Sequence, residues 1–163
     1  MFDYFTELIN ARRLVKDALE KFSINYREVP IHWNNRLKAV VAQTKYHYGT
    51  YEIRLSRLIW PHLTPKQRKT TVLHEAAHII AKVLYGGKMS HNHIWKRIMR
   101  KLGLPPDRCL DIDTVALGIS KQRPRYIVQC NCKNGCKVGP IVYKRLRQGV
   151  GYRCCICQVK LTL

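Results

Sequence analysis

Residues 73–80 read LHEAAHII, with two histidines four apart, a glutamate directly after the first, and only alanine, leucine and isoleucine around them. Val72, Leu73, Ala76, Ala77, Ile79, Ile80, Val83 and Leu84 give a helical pattern that is apolar nearly all round, so this segment belongs inside a fold. A buried carboxylate and two buried imidazoles without partners are costly. Residues i and i+4 lie one above the other on a helix face, so His74 and His78 can aim their ring nitrogens at one point. A zinc ion there removes the cost. Glu75, one position further round, can reach a zinc-bound water and act as its general base. The competing account makes both histidines ordinary, one hydrogen-bonded in the core and one at the surface.

A zinc ion held this way needs a third ligand. The helical pattern stops at Gly86-Gly87 and the chain returns through KMSHNHIWKRIM, which offers His91 and His93. His32, His47 and His62 read as structural or surface residues.

The local signals around this helix are consistent. LTPKQ announces its start, with Thr64 as cap, Pro65 in first position and Gln67 three residues after the cap. An amphipathic helix is expected over residues 2–22, and three or four short strands between Ile24 and Leu58, where Asn34-Asn35 and Gly49 mark turns. A further helix should begin near Ser90, bury Ile94, Trp95, Ile98, Met99 and Leu102, and end at Gly103. Residues 104–125 lack a clear period and end in KQRPR, and 114–125 read as a basic linker between a domain over 1–113 and a small ribbon over 126–163.

That ribbon carries the second unusual feature. Six of the seven cysteines fall between Cys130 and Cys157, in a chain with no secretory leader pattern and no apolar run long enough to span a bilayer. A soluble, cytoplasmic monomer is expected, and in that setting clustered cysteines favour metal over disulfides. CNCKNGC and CCIC can supply two pairs, Cys132 with Cys136 and Cys154 with Cys157, as a closed four-sulfur structural zinc site. Cys130 is an alternative to Cys132, Cys155 is the spare of its pair, and Cys109 stands alone.

Charge then suggests a partner. The chain carries a formal +20, and after Asp113 there is no acidic residue at all. A polyanion such as DNA fits, since each neutralised phosphate releases counterions. A solvated basic face or affinity for anionic lipid would use the same charges, but no membrane partner is expected. Arg123, Arg125, Tyr143, Lys144, Arg145, Arg147, Tyr152 and Arg153 interleave cations with aromatics, as in surfaces that stack unpaired bases, so single-stranded DNA is included among the expected partners.

Taken together, HEAAH, His91 after a 12-residue gap, Trp95 and KRIM beyond it, then YIVQCNCKNGC and YRCCIC, resemble the SprT-like domain family, which includes the DNA-dependent metalloprotease Spartan. YEIRLSRLI resembles the strand before that family's catalytic helix. The resemblance implies an α+β, zincin-like small mixed sheet with the HExxH helix and a C-terminal zinc ribbon. It implies a catalytic zinc on His74, His78 and His91, a catalytic Glu75, and a structural zinc on Cys132, Cys136, Cys154 and Cys157. Asn92 stands where the family usually has glycine, and Cys136 where many relatives have histidine. The implied activity is a zinc endopeptidase acting on proteins bound or crosslinked to nucleic acid, in a bacterial or phage-infected cell and in places associated with the nucleoid. A non-catalytic, zinc-containing nucleic-acid-binding adaptor is the alternative, and a metallopeptidase unrelated to nucleic acid is a third reading that the acid-free tail disfavours.

Overall fold

Helix α1 (Tyr4–Lys21) starts where Asp3 can cap it, its carboxylate accepting from the backbone N–H groups of Phe5 at 3.0 Å and Thr6 at 3.1 Å. Its inward stripe is Ala11, Val15, Ala18 and Leu19. The computed structural model describes residues 2–26, 28–87, 89–107, 110, 112–122 and 124–163. They form two units, Met1–Ser120 and Lys121–Leu163.

In the first unit, β1 (Ile31–Asn34), β2 (Ala42–His47) and β3 (Thr50–Ser56) make a sheet of order β1-β3-β2, with β1 parallel and β2 antiparallel to β3. Alternation along β3 buries Tyr51, Ile53 and Leu55 on one face, opposite Ile31 of β1 and Thr44 and Ala42 of β2. The β2–β3 connection is the two-residue turn Tyr48-Gly49, with φ of +47° and +84°, the left-handed pair a tight hairpin demands. Tyr26 pins that turn, donating to the Gly49 carbonyl at 3.0 Å and accepting from the Tyr51 N–H at 3.3 Å.

Helix α2 (Pro65–Tyr85) follows a single 3-10 turn, Trp60–His62. The expected capping box is present: the Gln67 N–H donates to Thr64 Oγ1 at 3.3 Å and the Thr64 N–H to Gln67 Oε1 at 2.9 Å. The helix buries Val72, Leu73, Ala76, Ala77, Ile79 and Ile80, and ends at Gly86 with φ of +67°. Helix α3 (His93–Lys101) is capped by Asn92, which accepts from Ile94 and Trp95 N–H at 3.1 Å each. The asparagine found where the resemblance implies glycine therefore has a local use.

Glu7 ties α1 to α2. Its carboxylate accepts from Trp60 Nε1 at 2.9 Å and from Arg68 Nη1 at 2.8 Å, with both charged side chains mostly buried. Glu7→Ala strands an indole N–H and a guanidinium and should lower unfolding free energy by roughly 2–3 kcal/mol in denaturant titration. A loss below about 0.5 kcal/mol, the range of ordinary surface substitutions, would show the tie to be incidental.

Residues 114–120, expected in the linker, belong to the first unit. Asp113 caps a turn here, accepting from Val115 and Ala116 N–H at 3.0 Å, while Ile112 and Ile119 pack on the core.

The second unit has the expected ribbon, β4 (Tyr126–Val128) paired antiparallel with β5 (Cys136–Val138), but also an unexpected helix, α4 (Pro140–Arg147). Gly135 turns the ribbon at φ of +65°, and a Cβ there would lie 2.8 Å from the Val128 carbonyl oxygen. The bridge Gln129–Thr162 joins the C-terminal segment to the end of the ribbon, and Arg153–Lys160 pairs that segment with itself. The buried apolar residues of this unit, among those described, are Val128, Val138, Cys154 and Leu161. Four such residues are a thin core for a unit of this size.

Candidate metal centres

The apolar character of α2 forces its polar residues to find partners within the first unit. Three imidazoles converge: His91 Nε2 lies 2.9 Å from His74 Nε2 and 3.2 Å from His78 Nε2. His74 and His78 come from adjacent turns of α2, and His91 from the segment that returns after Gly86-Gly87. His93 is exposed at the first position of α3 and takes no part. The fully buried Trp95 packs its indole against all three rings, with centroids 4.6–5.6 Å away, and donates to the His74 carbonyl at 3.4 Å. Of the remaining histidines, His32 pairs with Glu52 at 2.9 Å, while His47 and His62 are exposed.

Burial sets the protonation of this group. His74 is lowered to about 4, by desolvation first and the neighbouring His91 second, against a hydrogen bond to the Asp107 backbone. His78 is lowered to about 3 by desolvation, then by His74 and His91. Both are neutral at pH 7, the form that binds a metal. Ring nitrogens meeting at 2.9 and 3.2 Å cannot all point protons at one another, and the Nδ1 of His78 is buried without a hydrogen-bond partner among the described residues. This donor set fits a zinc ion with three protein ligands.

Glu75 is 7% exposed and points toward β2, where Thr44 Oγ1 donates to its Oε2 at 2.6 Å and lies 3.2 Å from its backbone carbonyl oxygen. Desolvation raises its pKa, and the Thr44 hydrogen bonds partly offset this. Thr44, Glu75 and the three histidines line a cleft of about 590 Å³. A larger hollow of about 720 Å³, between α1 and residues 23–26 and 28–29, gathers no comparable ligand group among the described residues. Thr44 and the Asp107 backbone were not foreseeable as partners of this site, because each reaches α2 from a part of the chain some 30 residues away.

In the second unit the sulfurs of Cys130, Cys132, Cys154 and Cys157 lie within 4.8 Å of one another. This corrects the expected set in one member: Cys130 stands in for Cys136, and Cys132 stays. The reason is the ribbon register. Cys136 pairs with Val128 and begins β5, whereas Cys130 and Cys132 lie in the loop beyond β4, where the Cys132 N–H donates to Cys130 Sγ at 3.4 Å. Cys136 packs beside this group without joining it, and Cys155 is exposed. Backbone N–H groups of Cys157 and Ile156 hold the Cys154 thiol down at about 6, while hydrogen bonds to Cys130 and Cys157 push Cys132 up to about 12. Thiols so close cannot all ionise together unless a cation sits among them, and four sulfurs fit a closed tetrahedral zinc site.

The expected nucleic-acid residues divide. Lys144, Arg145 and Arg147 lie exposed on α4, and Arg125 and Arg153 are exposed near the ribbon. Tyr143 and Tyr152 pack on the thin core, Tyr143 stacking on Tyr126 with centroids 4.2 Å apart, and Arg145 donates to the Tyr152 hydroxyl at 3.2 Å. Arg123 and Cys109 lie outside the described residues.

Residues 11–113, which hold the histidine cluster and Glu75, match the model of the SprT-like family. The chain belongs to the SprT-like family. Over 95 residues it is 37% identical to Protein SprT of Pseudomonas aeruginosa strain LESB58, covering 56% of this chain and 55% of that protein. It is likewise 37% identical over 95 residues to Protein SprT of Pseudomonas fluorescens strain Pf0-1, covering 55% and 54%. Protein SprT of Pseudomonas putida strain W619 is 34% identical over 96 residues, covering 57% and 56%. The matched part of this SprT-like chain thus spans a little over half the length of these relatives, and the family match ends before the second unit. No helix among the described residues is long and apolar enough to cross a membrane.

Proposed function

We propose that this chain is a zinc-dependent endopeptidase that cleaves proteins bound or crosslinked to nucleic acid. The observation that carries the reading is the convergence of His74, His78 and His91 beside a buried Glu75 in an open cleft. Membership of the SprT-like family supports it. His74, His78 and His91 would hold the zinc, which supplies Lewis-acid polarisation of a scissile carbonyl and a nucleophilic water at neutral pH.

The protein's own groups do the rest. Thr44 fixes Oε2 of Glu75, so Oε1 is the atom that takes a proton from the attacking water and returns it to the leaving amine. Burial raises the basicity of that carboxylate toward what proton transfer at neutral pH requires. Trp95 backs the three rings and restricts their rotation. In the second unit Cys130, Cys132, Cys154 and Cys157 would hold a structural zinc, and Lys144, Arg145 and Arg147 would face phosphates, DNA being the expected polyanion.

Metal content tests the central assignment. Elemental analysis should find two zinc ions per chain, falling to one in a His74→Ala, His78→Ala double variant. One zinc in both proteins would leave the cysteine site alone and turn the reading to a binding module that cleaves nothing.

A further inference from the structure

The tyrosines of the second unit lean on its core, while the fully exposed one lies in the first unit. Tyr48, at the tip of the β2–β3 hairpin, is 104% exposed and held at φ of +47°. A bulky residue is uncommon in that conformation, which suits asparagine or glycine far better. Among the described residues nothing packs on it to repay the strain, and the Tyr26 hydrogen bonds to Gly49 and Tyr51 keep the tip from relaxing. A fixed, strained, solvent-facing aromatic ring is suited to contact something outside the chain.

Its neighbours indicate what that is. Tyr46, 42% exposed, has the Lys82 ammonium 5.4 Å from its ring centre, and Lys82 is itself anchored by donating to the Gly87 carbonyl at 2.6 Å. Tyr85, 51% exposed, has the Arg97 guanidinium 5.5 Å from its ring and donating to its hydroxyl at 3.0 Å. Lys82 and Tyr85 are three apart on α2 and so share a face. Two aromatic–cation pairs are therefore joined in one strip with Tyr48 at its end. From Arg57 through Pro106, the stretch that holds Lys82, Tyr85 and Arg97, the only acidic residue is the buried Glu75, against ten lysines and arginines.

Aromatic faces alternating with anchored cations, in a segment nearly free of acid, match a strand that offers bases to stack and phosphates to pair. We infer that the first unit carries its own track for single-stranded nucleic acid, with bases stacking on Tyr48 and Tyr85 and phosphates meeting Lys82 and Arg97. This rests on the nucleic-acid reading proposed above and deepens it. Tyr48, the first residue of the turn after β2, lies four residues from Thr44, at most about 13 Å away. The track would thus run beside the cleft and hold the nucleic-acid part of a crosslinked substrate while its protein part enters.

The test uses the full chain and fluorescence anisotropy with a fluorescein-labelled oligothymidylate and a duplex of equal length. Tyr48→Gly should weaken binding to the single strand about tenfold, the size of one lost base stack, with little change for the duplex. Its thermal midpoint should equal or exceed that of the wild type, since glycine accepts the positive φ. Tyr48→Trp should bind the single strand as well as the wild type or better. If the wild type binds and Tyr48→Gly binds equally well, the track is wrong, as it would be if the hairpin tip served a protein partner, and the proposed function stands. If the wild type binds neither oligonucleotide, both fall.

Discussion

Glu75→Gln should leave two zinc ions per chain in place and slow cleavage of a DNA-bound protein by about 10²- to 10⁴-fold, the contribution typical of a positioned general base. The substitution is close to isosteric, and the amide oxygen can still accept from Thr44 Oγ1, which lies 2.6 Å from Oε2. What it removes is a carboxylate whose pKa burial has raised and whose second oxygen is not held by Thr44. Metal content, thermal midpoint and oligonucleotide affinity should therefore match the wild type, so that the loss is confined to turnover. Cleavage within a few-fold of the wild type would remove Glu75 from the chemistry. An adaptor that cleaves nothing would show no difference in any of these measurements.

The second large effect concerns the cysteines. Cys130→Ser should cost the second unit its zinc and its order, whereas Cys136→Ser should keep both. Val128, Val138, Cys154 and Leu161 bury too little surface to hold 43 residues, and a structural zinc contributes on the order of 10 kcal/mol to the folding of small metal-dependent units. Amide chemical-shift dispersion in the full chain separates the outcomes: in Cys130→Ser, signals of Lys121–Leu163 should collapse toward random-coil positions while those of the first unit persist. Zinc lost from Cys136→Ser and kept in Cys130→Ser would restore the ligand set expected from spacing alone.

That correction shows where sequence patterns stop being informative. The span of α2 was readable almost to the residue, because a capping threonine, a first-turn proline and a closing glycine pair are local signals. The histidine pair was readable because helical periodicity alone brings i and i+4 together. His91 could be chosen over His93 only through family resemblance, and its meeting with the pair depends on the turn that Asn92 closes. Helix α4 was missed: PIVYKRLR is short, its Ile141 and Val142 favour strands, and only its half-buried side of Val142, Tyr143 and Leu146 carries a helical period. Thr44 was invisible as a partner of Glu75, since alternation gives the face of a strand and not the helix that face will meet. Residues 114–120 were read as linker because their order comes from hydrogen bonds within one turn and from a single isoleucine, Ile119, reaching the core.

The donors gathered around the cleft are nitrogen and oxygen, whereas every described cysteine lies after Lys121. Peroxide converts thiolates stepwise to sulfenic and sulfinic acids and leaves imidazole rings largely untouched. If the two sites hold zinc as proposed, oxidative stress would strip it from the ribbon before it reached the histidine site. Under the proposed function, the basic second unit would lose its fold first, while the histidine site and the track on the first unit stayed in place.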